Sequence, residues 1–338
     1  MLAFKAEQRL STGETMRRRD FITLFAGAAV AKSFTAKAQE PGRTYRLGGV
    51  SSSPFDAPHF VAMFDELRRF GFIEGQNLTI HWRQYTLHID LISEFAADLV
   101  KAKVDVIYVS GDAGIRAAQR VTATIPILGI TEDMVGQGLV DSLARPGGNT
   151  TGTSLLATEL DGKREEILIE AVPELRRLAI LADKTTGSRE FVALQDAARA
   201  RGVELLIHQI ARAEEITVAI DEAKASGAAA LNVLSSPFLY GNRQIIMQRV
   251  AALGLPAMYQ FPEEAEEGGF VAYGPRLIQI FRELVAEQLV KLLRGTKPAV
   301  IPIEQPTKFE LVINLKAANA LGVTVPATLV ARADKVIE

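Results

Sequence analysis

The stretch VDVIYVSGDAGIRAAQRVTATIPILGIT, residues 104–131, decides the fold of this chain. It begins with an unbroken apolar run, Val104–Val109, which has the length and composition of a strand buried on both faces. A small polar loop follows, then the apolar spacing of a helix over Ala113–Val121, and then a second apolar strand, Ile125–Ile130. A strand, a helix and a strand in immediate succession predict two parallel neighbours in one sheet.

The same alternation extends in both directions from this stretch. It stops at a Gly-, Pro- and Thr-rich segment, residues 145–152, and then begins again. Two consecutive series predict the α/β class, with two doubly wound Rossmann-like lobes joined by a multi-strand hinge. The other predicted strands are Tyr45–Ser51, Leu78–Trp82, Leu178–Ala182, Val203–Ile210, Ala229–Leu234, Pro256–Tyr259, Gly269–Tyr273 and Phe309–Ile313, and the other predicted helices are Pro58–Phe70, Ile89–Val100, Glu159–Ala171, Phe191–Arg201, Ile216–Ala225, Ile245–Leu253 and Ile278–Leu293.

The late elements of the chain predict that it passes between the lobes more than once. An extra strand and helix that follow two complete series often return to the first lobe. We therefore expect the N-terminal lobe to comprise residues 45–155 plus about 274–300, and the C-terminal lobe to comprise residues 156–273 plus about 301–325. Several crossings make a hinge, and a hinge lets a cleft between the lobes close on a ligand.

Residues 1–38 have the features of a removable export signal. A basic cluster, Arg17–Ile22 (RRRDFI), precedes a short apolar run, Leu24–Val30, and Ala36–Ala38 supplies a small-x-small cleavage site. The apolar run is shorter than the roughly 20 residues that span a bilayer, and the paired arginines resemble the twin-arginine motif. We expect cleavage after about Ala38 and a periplasmic mature protein. General secretory routing, a true start at Met16 and a retained amphipathic helix are alternatives.

The composition excludes several classes of protein. Lys and Arg number 38 and Asp and Glu number 40, so the basic excess of nucleic-acid-binding domains is missing and we expect no nucleic-acid partner. With no cysteine, thiol catalysis and cysteine metal sites are impossible. The sequence has no nucleophile elbow, Walker loop or dinucleotide fingerprint, so we expect no enzymatic activity, no cofactor and no metal. We interpret the four histidines as structural or surface residues: His59, His81, His88 and His208.

Polar residues follow the predicted strands at the edge where parallel sheets bind ligands. Hydroxyls and helix N-terminal N–H groups can hold polar ligand groups there, although helix capping alone is an alternative for the serines and Asp112. Glu132 and Asp133 are suited to bind an ammonium group, to act as acid or base, or to occupy a helix start. Phe238 and Tyr273 are suited to stack on a ligand ring. The candidate ligand-binding residues are Ser51, Ser52, Gly111, Asp112, Thr131, Glu132, Asp133, Ser235, Ser236, Phe238 and Tyr273.

Several blocks of this sequence resemble the ABC transporter substrate-binding proteins of the tryptophan/tyrosine type. Residues 130–140 (ITEDMVGQGLV) and 142–152 (SLARPGGNTTG) resemble the central signature, and residues 71–77 (GFIEGQN), 268–274 (GGFVAYG) and 306–316 (PTKFELVINLK) resemble further blocks. The resemblance implies a type I periplasmic binding fold with a small-molecule ligand in a cleft between the lobes. It also implies delivery of that ligand to an ABC transporter permease in the inner membrane. We expect a monomer.

One departure from the family lies in a ligand loop. Many members have Asp-Pro-Val where this chain has the sequence EDMV, residues 132–135, so the ammonium partner of an amino-acid ligand is left unassigned. We expect a periplasmic solute-binding protein for a small solute, such as an aromatic or carboxylate-bearing compound. A ligand-sensing partner of a membrane receptor is an alternative, as is an α/β enzyme that uses Glu132 or Asp133.

Overall fold

The computed structural model describes residues 42–85, 88–184 and 188–338. The predicted export signal, residues 1–38, lies outside the described residues, as do Thr185 and Thr186. The strands are β1 (Tyr45–Ser51), β2 (Leu78–Gln84), β3 (Val106–Ser110), β4 (Ile127–Thr131), β5 (Thr150–Ser154), β6 (Arg177–Asp183), β7 (Glu204–Ile210), β8 (Ala230–Val233), β9 (Ala257–Tyr259), β10 (Val271–Gly274), β11 (Glu310–Asn314) and β12 (Lys335–Ile337).

Helices connect most of these strands. The α-helices are α1 (Pro58–Arg69), α2 (Ile92–Lys101), α3 (Gly111–Val121), α4 (Ala157–Ala171), α5 (Ser188–Ala200), α6 (Glu214–Ala225), α7 (Pro237–Gly241), α8 (Arg243–Ala252), α9 (Pro262–Glu266), α10 (Leu277–Gln279), α11 (Ala286–Leu293), α12 (Leu315–Ala320) and α13 (Ala327–Val330). Short 3₁₀ helices occupy Ile89–Leu91 and Pro298–Val300, and a π-helical turn, Ile280–Val285, joins α10 to α11.

The first sheet contains five parallel strands in the order β2-β1-β3-β4-β5. Strands β3 and β4 belong to the 104–131 stretch, and Ile107 lies opposite Ile127 between them. Every residue of both strands is buried, because helices cover both faces of a parallel sheet. The strand order reverses between β1 and β3, which is the place where doubly wound sheets bind ligands.

Strand β5 begins in the Gly-, Pro- and Thr-rich segment, residues 145–152, that separates the two series of predicted elements. Its five residues, TTGTS, are buried although none has a large apolar side chain. Thr151 Oγ1 donates to the carbonyl oxygen of Ile301 at 2.7 Å, and Thr153 Oγ1 donates to Gln288 Oε1 at 3.2 Å. Buried hydroxyls are tolerated when they form hydrogen bonds, so partners late in the chain stabilise this edge strand.

The second sheet contains seven strands in the order β12-β11-β10-β9-β8-β6-β7. The strands from β6 to β10 are parallel and repeat the strand order of the first sheet. Strand β11 is antiparallel to β10, and β12 is parallel to β11. Both series of strands and helices therefore form doubly wound sheets, and the predicted α/β class with two such lobes is confirmed.

The helical segment 277–293 returns to the first sheet after the second sheet has been formed. Phe281 and Leu289 from this segment share one hydrophobic core with Phe60, Met63 and Leu67 of α1. Residues three and four apart lie on one face of a helix, so α1 presents a continuous apolar stripe to this late segment. None of the helices in the described ranges is long and apolar enough to cross a bilayer.

Candidate functional site

The carboxyl ends of the two sheets face each other across a cleft. Strands β1, β3 and β4 end at one side of it, and β8 and β9 end at the other. In this conformation the cavity volume of the cleft is about 50 Å³, which is smaller than the roughly 300–1,000 Å³ of small-molecule sites. The topology thus places the strand-end loops of both lobes around one shared cleft.

Serine hydroxyls form the polar side of the cleft. The loop after β1 is stabilised by Ser51, whose Oγ accepts a hydrogen bond from the backbone N–H of Ser53 at 3.1 Å. Ser52 Oγ donates to the carbonyl oxygen of Pro237 at 2.6 Å. Because Pro237 begins α7 in the other lobe, this hydrogen bond joins the two lobes directly.

Ser236 is the N-cap of the short helix α7. Its Oγ accepts hydrogen bonds from the backbone N–H groups of Phe238 and Leu239 at 3.1 and 3.3 Å, and the hydroxyl donates to Asp183. The capping alternative therefore holds for this residue, which also lines the cleft. This cap stabilises the N-terminus of α7, which lies beside the cleft.

Two glycines allow the lobes to approach each other. Gly111, at φ +77°, lies opposite Pro237, and a Cβ built on it would lie 3.2 Å from Pro237 Cγ. A Cβ on Gly241 would lie 2.9 Å from Ser52 Cβ. A Cβ at Gly241 would force Ser52 or α7 to shift, and Gly111 has a left-handed φ that disfavours other residues, so the close contact between the lobes depends on both glycines.

Aromatic rings form the apolar side of the cleft. Phe60 of α1 packs edge-on against Tyr108 of β3 and against Phe281, with ring centroids 5.7 and 5.2 Å apart. From the second lobe, Tyr240 packs edge-on against Phe261 at 5.3 Å. All five rings line the cleft. They offer a flat ligand the edge and face contacts that aromatic groups favour.

His59 lies among these rings. It is 3% exposed, and its ring centroid is 4.6 Å from that of Phe281 and 5.9 Å from that of Tyr240. Burial, assisted by the positive charge of Arg243, lowers the pKa of His59 to about 3. The imidazole is therefore neutral at physiological pH, and it adds no positive charge to the cleft.

Carboxyl groups from both lobes influence one another at the polar side. Thr131 Oγ1 donates to Glu132 Oε2 at 2.6 Å. Burial raises the pKa of Glu132 to about 7, and the negative charges of Asp183 and Asp112 raise it as well. The hydrogen bond from Thr131 acts in the opposite direction and lowers this pKa. Burial also raises the pKa of Asp112, although Arg116 Nε lies 3.8 Å from Asp112 Oδ2. Overlapping negative potentials of this kind favour a bound cation.

The structure brings six of the predicted residues to the cleft and leaves five outside its lining. Asp133 Oδ1 accepts from the backbone N–H of Gly136 at 2.8 Å, which forms a local turn. Phe238 packs in the core of the second lobe, and Tyr273 lies 6.5 Å from Phe309 between ring centroids. The six that line the cleft are Ser51, Ser52, Thr131, Glu132, Ser235 and Ser236, and the five outside its lining are Gly111, Asp112, Asp133, Phe238 and Tyr273.

The aromatic side of the cleft was not predicted from the sequence. The apolar spacing of the predicted helix Pro58–Phe70 places Phe60 on its core face, and the sequence predicts a structural or surface role for His59. Helix α1 starts beside the loop that follows β1, so its first turn lies near the sheet edge where ligands bind. The position of His59 and Phe60 in this first turn is the feature of the sequence that could have indicated their place in the cleft. Within the described parts of the chain, no group of three or more His, Asp or Glu side chains is placed to hold a metal ion.

Comparisons with known proteins agree with this geometry. The profile of a family described as "ABC transporter substrate binding protein" matches residues 61–337. A tyrosine-binding protein of Clostridioides difficile (strain R20291) is 30% identical over 112 residues, which are 33% of this chain and 32% of that protein. The match thus spans about a third of that relative.

Solved structures share the fold. A conserved domain protein from Vibrio cholerae O1 biovar eltor strain N16961 superposes with a TM-score of 0.78 at 22% identity, covering 87% of this chain and 100% of that chain. An ABC domain from Streptococcus pneumonia in complex with L-Trp superposes with a TM-score of 0.76 at 19% identity, with the same coverage of 87% and 100%. The two-lobed type I periplasmic binding fold is confirmed. Because the family profile extends over most of the described residues, the resemblance found in the sequence is also confirmed, and this chain belongs to the family of ABC transporter substrate-binding proteins.

Proposed function

We propose that this protein captures a small aromatic solute that carries an ammonium group. One observation supports this ligand class: aromatic rings line one side of the cleft, the carboxyl group of Glu132 lines the other, and the described lining includes no lysine or arginine. A flat apolar group gains by leaving water for the aromatic side. An ammonium group is favoured beside the carboxylate of Glu132, which the negative charges of Asp183 and Asp112 also reach.

The relatives support an aromatic amino acid as the leading candidate. One relative is named for tyrosine binding, and one structural neighbour was solved with L-Trp. Both compounds combine an aromatic ring with an ammonium group. Glu132, which follows β4 and lines the cleft, is the proposed ammonium partner.

We further propose that the protein acts as a monomer in the periplasm and delivers its ligand to an inner-membrane ABC permease, without catalysing a reaction. Residues 1–38 would serve as the removed, twin-arginine-like signal. The two lobes would comprise residues 45–155 plus about 274–300, and residues 156–273 plus about 301–325. The hydrogen bond from Ser52 to Pro237 supports a closing cleft, because it joins the two lobes at the cleft.

Thermal unfolding of the purified protein tests the ligand class. A ligand present at about 100 times its Kd stabilises the folded state by about 2.7 kcal/mol, which raises the Tm by roughly 5 °C. We expect L-tryptophan, L-tyrosine or tryptamine to produce such a shift. N-acetyl-L-tryptophan, which keeps the ring and loses the ammonium charge, is the matched control and should not. The proposal fails if a sugar or an aliphatic acid stabilises the protein and no aromatic ammonium compound does.

Export is tested separately by cell fractionation. We expect the protein in the periplasmic fraction with Gln39 as its first residue. Replacement of Arg18 and Arg19 by lysine should retain the precursor in the cytoplasm if the twin-arginine route is used. Normal export of that variant would exclude this route and favour general secretion.

A further inference from the structure

Gln260 lines the cleft, and one of its polar atoms has no hydrogen-bond partner. The residue follows β9, is 2% exposed and lines the ligand space. Its side-chain nitrogen, Nε2, is buried and has no hydrogen-bond partner. A buried donor without an acceptor costs about 1–3 kcal/mol, so each such atom in a folded protein calls for an explanation.

Every other polar atom of Gln260 is engaged by the protein. The side-chain oxygen, Oε1, accepts from Ser235 Oγ at 2.7 Å. The backbone N–H donates to Glu264 Oε2 at 3.1 Å, and the carbonyl oxygen accepts from Arg164 Nη2 at 3.2 Å. The amide nitrogen is therefore the one polar atom of this cleft-lining residue that the protein leaves without a partner.

A buried ion pair supports this arrangement from below the cleft. Arg164 is 2% exposed and donates to Asp161 Oδ1 at 2.6 Å. Its Nε donates to the carbonyl oxygen of Tyr273 at 2.8 Å, so one guanidinium holds the ends of both β9 and β10. Removing a partner from such a pair costs about 3–5 kcal/mol. Because the same guanidinium donates to the carbonyl oxygen of Gln260, the ion pair fixes the backbone at this residue.

We propose that Gln260 determines ligand specificity by donating a hydrogen bond from Nε2 to an acceptor oxygen of the solute. This inference rests on the proposed function and names a second group on the same ligand. The acceptor is a carboxylate or carbonyl oxygen, because Nε2 is solely a donor. Since the described lining has no lysine or arginine and His59 is neutral, neutral donors such as Gln260 have to solvate that oxygen. An aromatic amino acid supplies both the ammonium group and the acceptor, whereas the corresponding amine supplies only the former.

Calorimetric titration of three matched probes tests this role. L-tryptophan offers a carboxylate, L-tryptophanamide offers a neutral carbonyl, and tryptamine has no acceptor oxygen. For Gln260→Leu we expect affinity for L-tryptophan to fall roughly 10- to 100-fold, while affinity for tryptamine changes less than about twofold. Gln260→Glu should weaken L-tryptophan further, because its carboxylate repels that of the ligand, and should affect L-tryptophanamide less.

Asn232→Leu is the matched control. Asn232 is a fully buried amide in the neighbouring strand β8, both of its side-chain polar atoms are unpartnered, and it does not line the cleft. Its replacement should change the Tm of the empty protein and leave the ratio of L-tryptophan to tryptamine affinity at the wild-type value. A purely structural role of Gln260 would give the same unchanged ratio in Gln260→Leu.

The outcomes separate the two proposals. If Gln260→Leu leaves the ratio of L-tryptophan to tryptamine affinity unchanged, the proposed role of Gln260 is wrong and the proposed function still stands. The same conclusion follows if Gln260→Glu binds L-tryptophan more tightly than the wild-type protein does. If the wild-type protein binds none of the three probes and L-tyrosine does not stabilise it either, the proposed function fails, and with it this inference, which requires a ligand that joins an ammonium group to an acceptor. If L-tyrosine binds in their place, the same comparison is made with L-tyrosine and tyramine. If this ratio decreases in the Gln260 variants and stays at the wild-type value in Asn232→Leu, the result supports both the proposed function and the role of Gln260.

Discussion

The ionisation of Glu132 should make ligand affinity depend on pH. Burial is the largest influence that raises the pKa of Glu132 to about 7, and the carboxyl groups of Asp183 and Asp112 add to it, whereas the hydroxyl of Thr131 opposes it. A ligand ammonium is attracted to the ionised carboxylate more strongly than to the neutral acid, so binding releases a proton. Affinity should therefore rise with pH through the titration of Glu132 and become constant above it.

The size of the effect follows from the ionised fraction. With a pKa of about 7, Glu132 is about one-tenth ionised at pH 6 and about nine-tenths ionised at pH 8. If only the ionised form binds, Kd decreases about tenfold between these values, equivalent to about 1.4 kcal/mol. The empty protein should show the opposite trend. Because the folded-state pKa lies above the ordinary value of 4.5, this group's contribution to the free energy of unfolding falls as pH rises from about 4.5 to about 7.

Calorimetry with L-tryptophan at pH 6, 7 and 8 measures the dependence, and buffers of different ionisation enthalpy count the released protons. Glu132→Gln should bind more weakly and without this pH dependence. Asp133→Asn removes the adjacent acid, which lies outside the cleft lining, and should keep the full tenfold change. A tenfold change that persists in Glu132→Gln, or a wild-type affinity that falls as pH rises, would refute the reasoning.

Three further substitutions, two of them with a control substitution, test the structure of the two lobes. Ser52→Ala removes the hydrogen bond between the lobes and should weaken ligand binding about 2- to 10-fold, with a larger radius of gyration for the empty protein in solution scattering. Gly152→Ala places a Cβ 1.8 Å from a backbone oxygen of the neighbouring strand at φ +151°, so urea unfolding should show a loss of at least about 2 kcal/mol. Gly162→Ala, where the helix leaves open space, should be neutral or stabilising by about 0.5–1 kcal/mol. Arg164→Met should lower the free energy of unfolding by about 3–5 kcal/mol, whereas Lys163→Met at an exposed pair should change it by less than about 1 kcal/mol.

The central strands could be predicted from the sequence because burial on both faces requires apolar side chains. Strand β3 satisfies that rule with VIYVS. Strand β5 does not, because its threonines are stabilised by hydrogen bonds to residues about 150 positions later in the chain. A local pattern of hydrophobicity contains no information about such distant partners, so β5 was assigned to a loop.

The polar half of the site was predictable for a similar reason. Parallel strands place their carboxyl ends at one edge, so Ser52 and Glu132 were expected near a ligand. Phe60 and Phe281 were not, because each occupies a helix face whose spacing is equally that of a buried core residue. Only the packing of α1 against the segment 277–293 decides that these two rings also border the cleft.

The late return of the chain to the first lobe has a consequence for biosynthesis. The apolar face of α1 is covered by residues 277–293, which leave the ribosome only after the whole parallel part of the second sheet. Until then Met63 and Leu67 have no partner helix, and a nascent first lobe exposes a surface that favours aggregation. The order of synthesis therefore leaves the core of the first lobe incomplete until residues 277–293 have been made, long after the contiguous strands of that lobe.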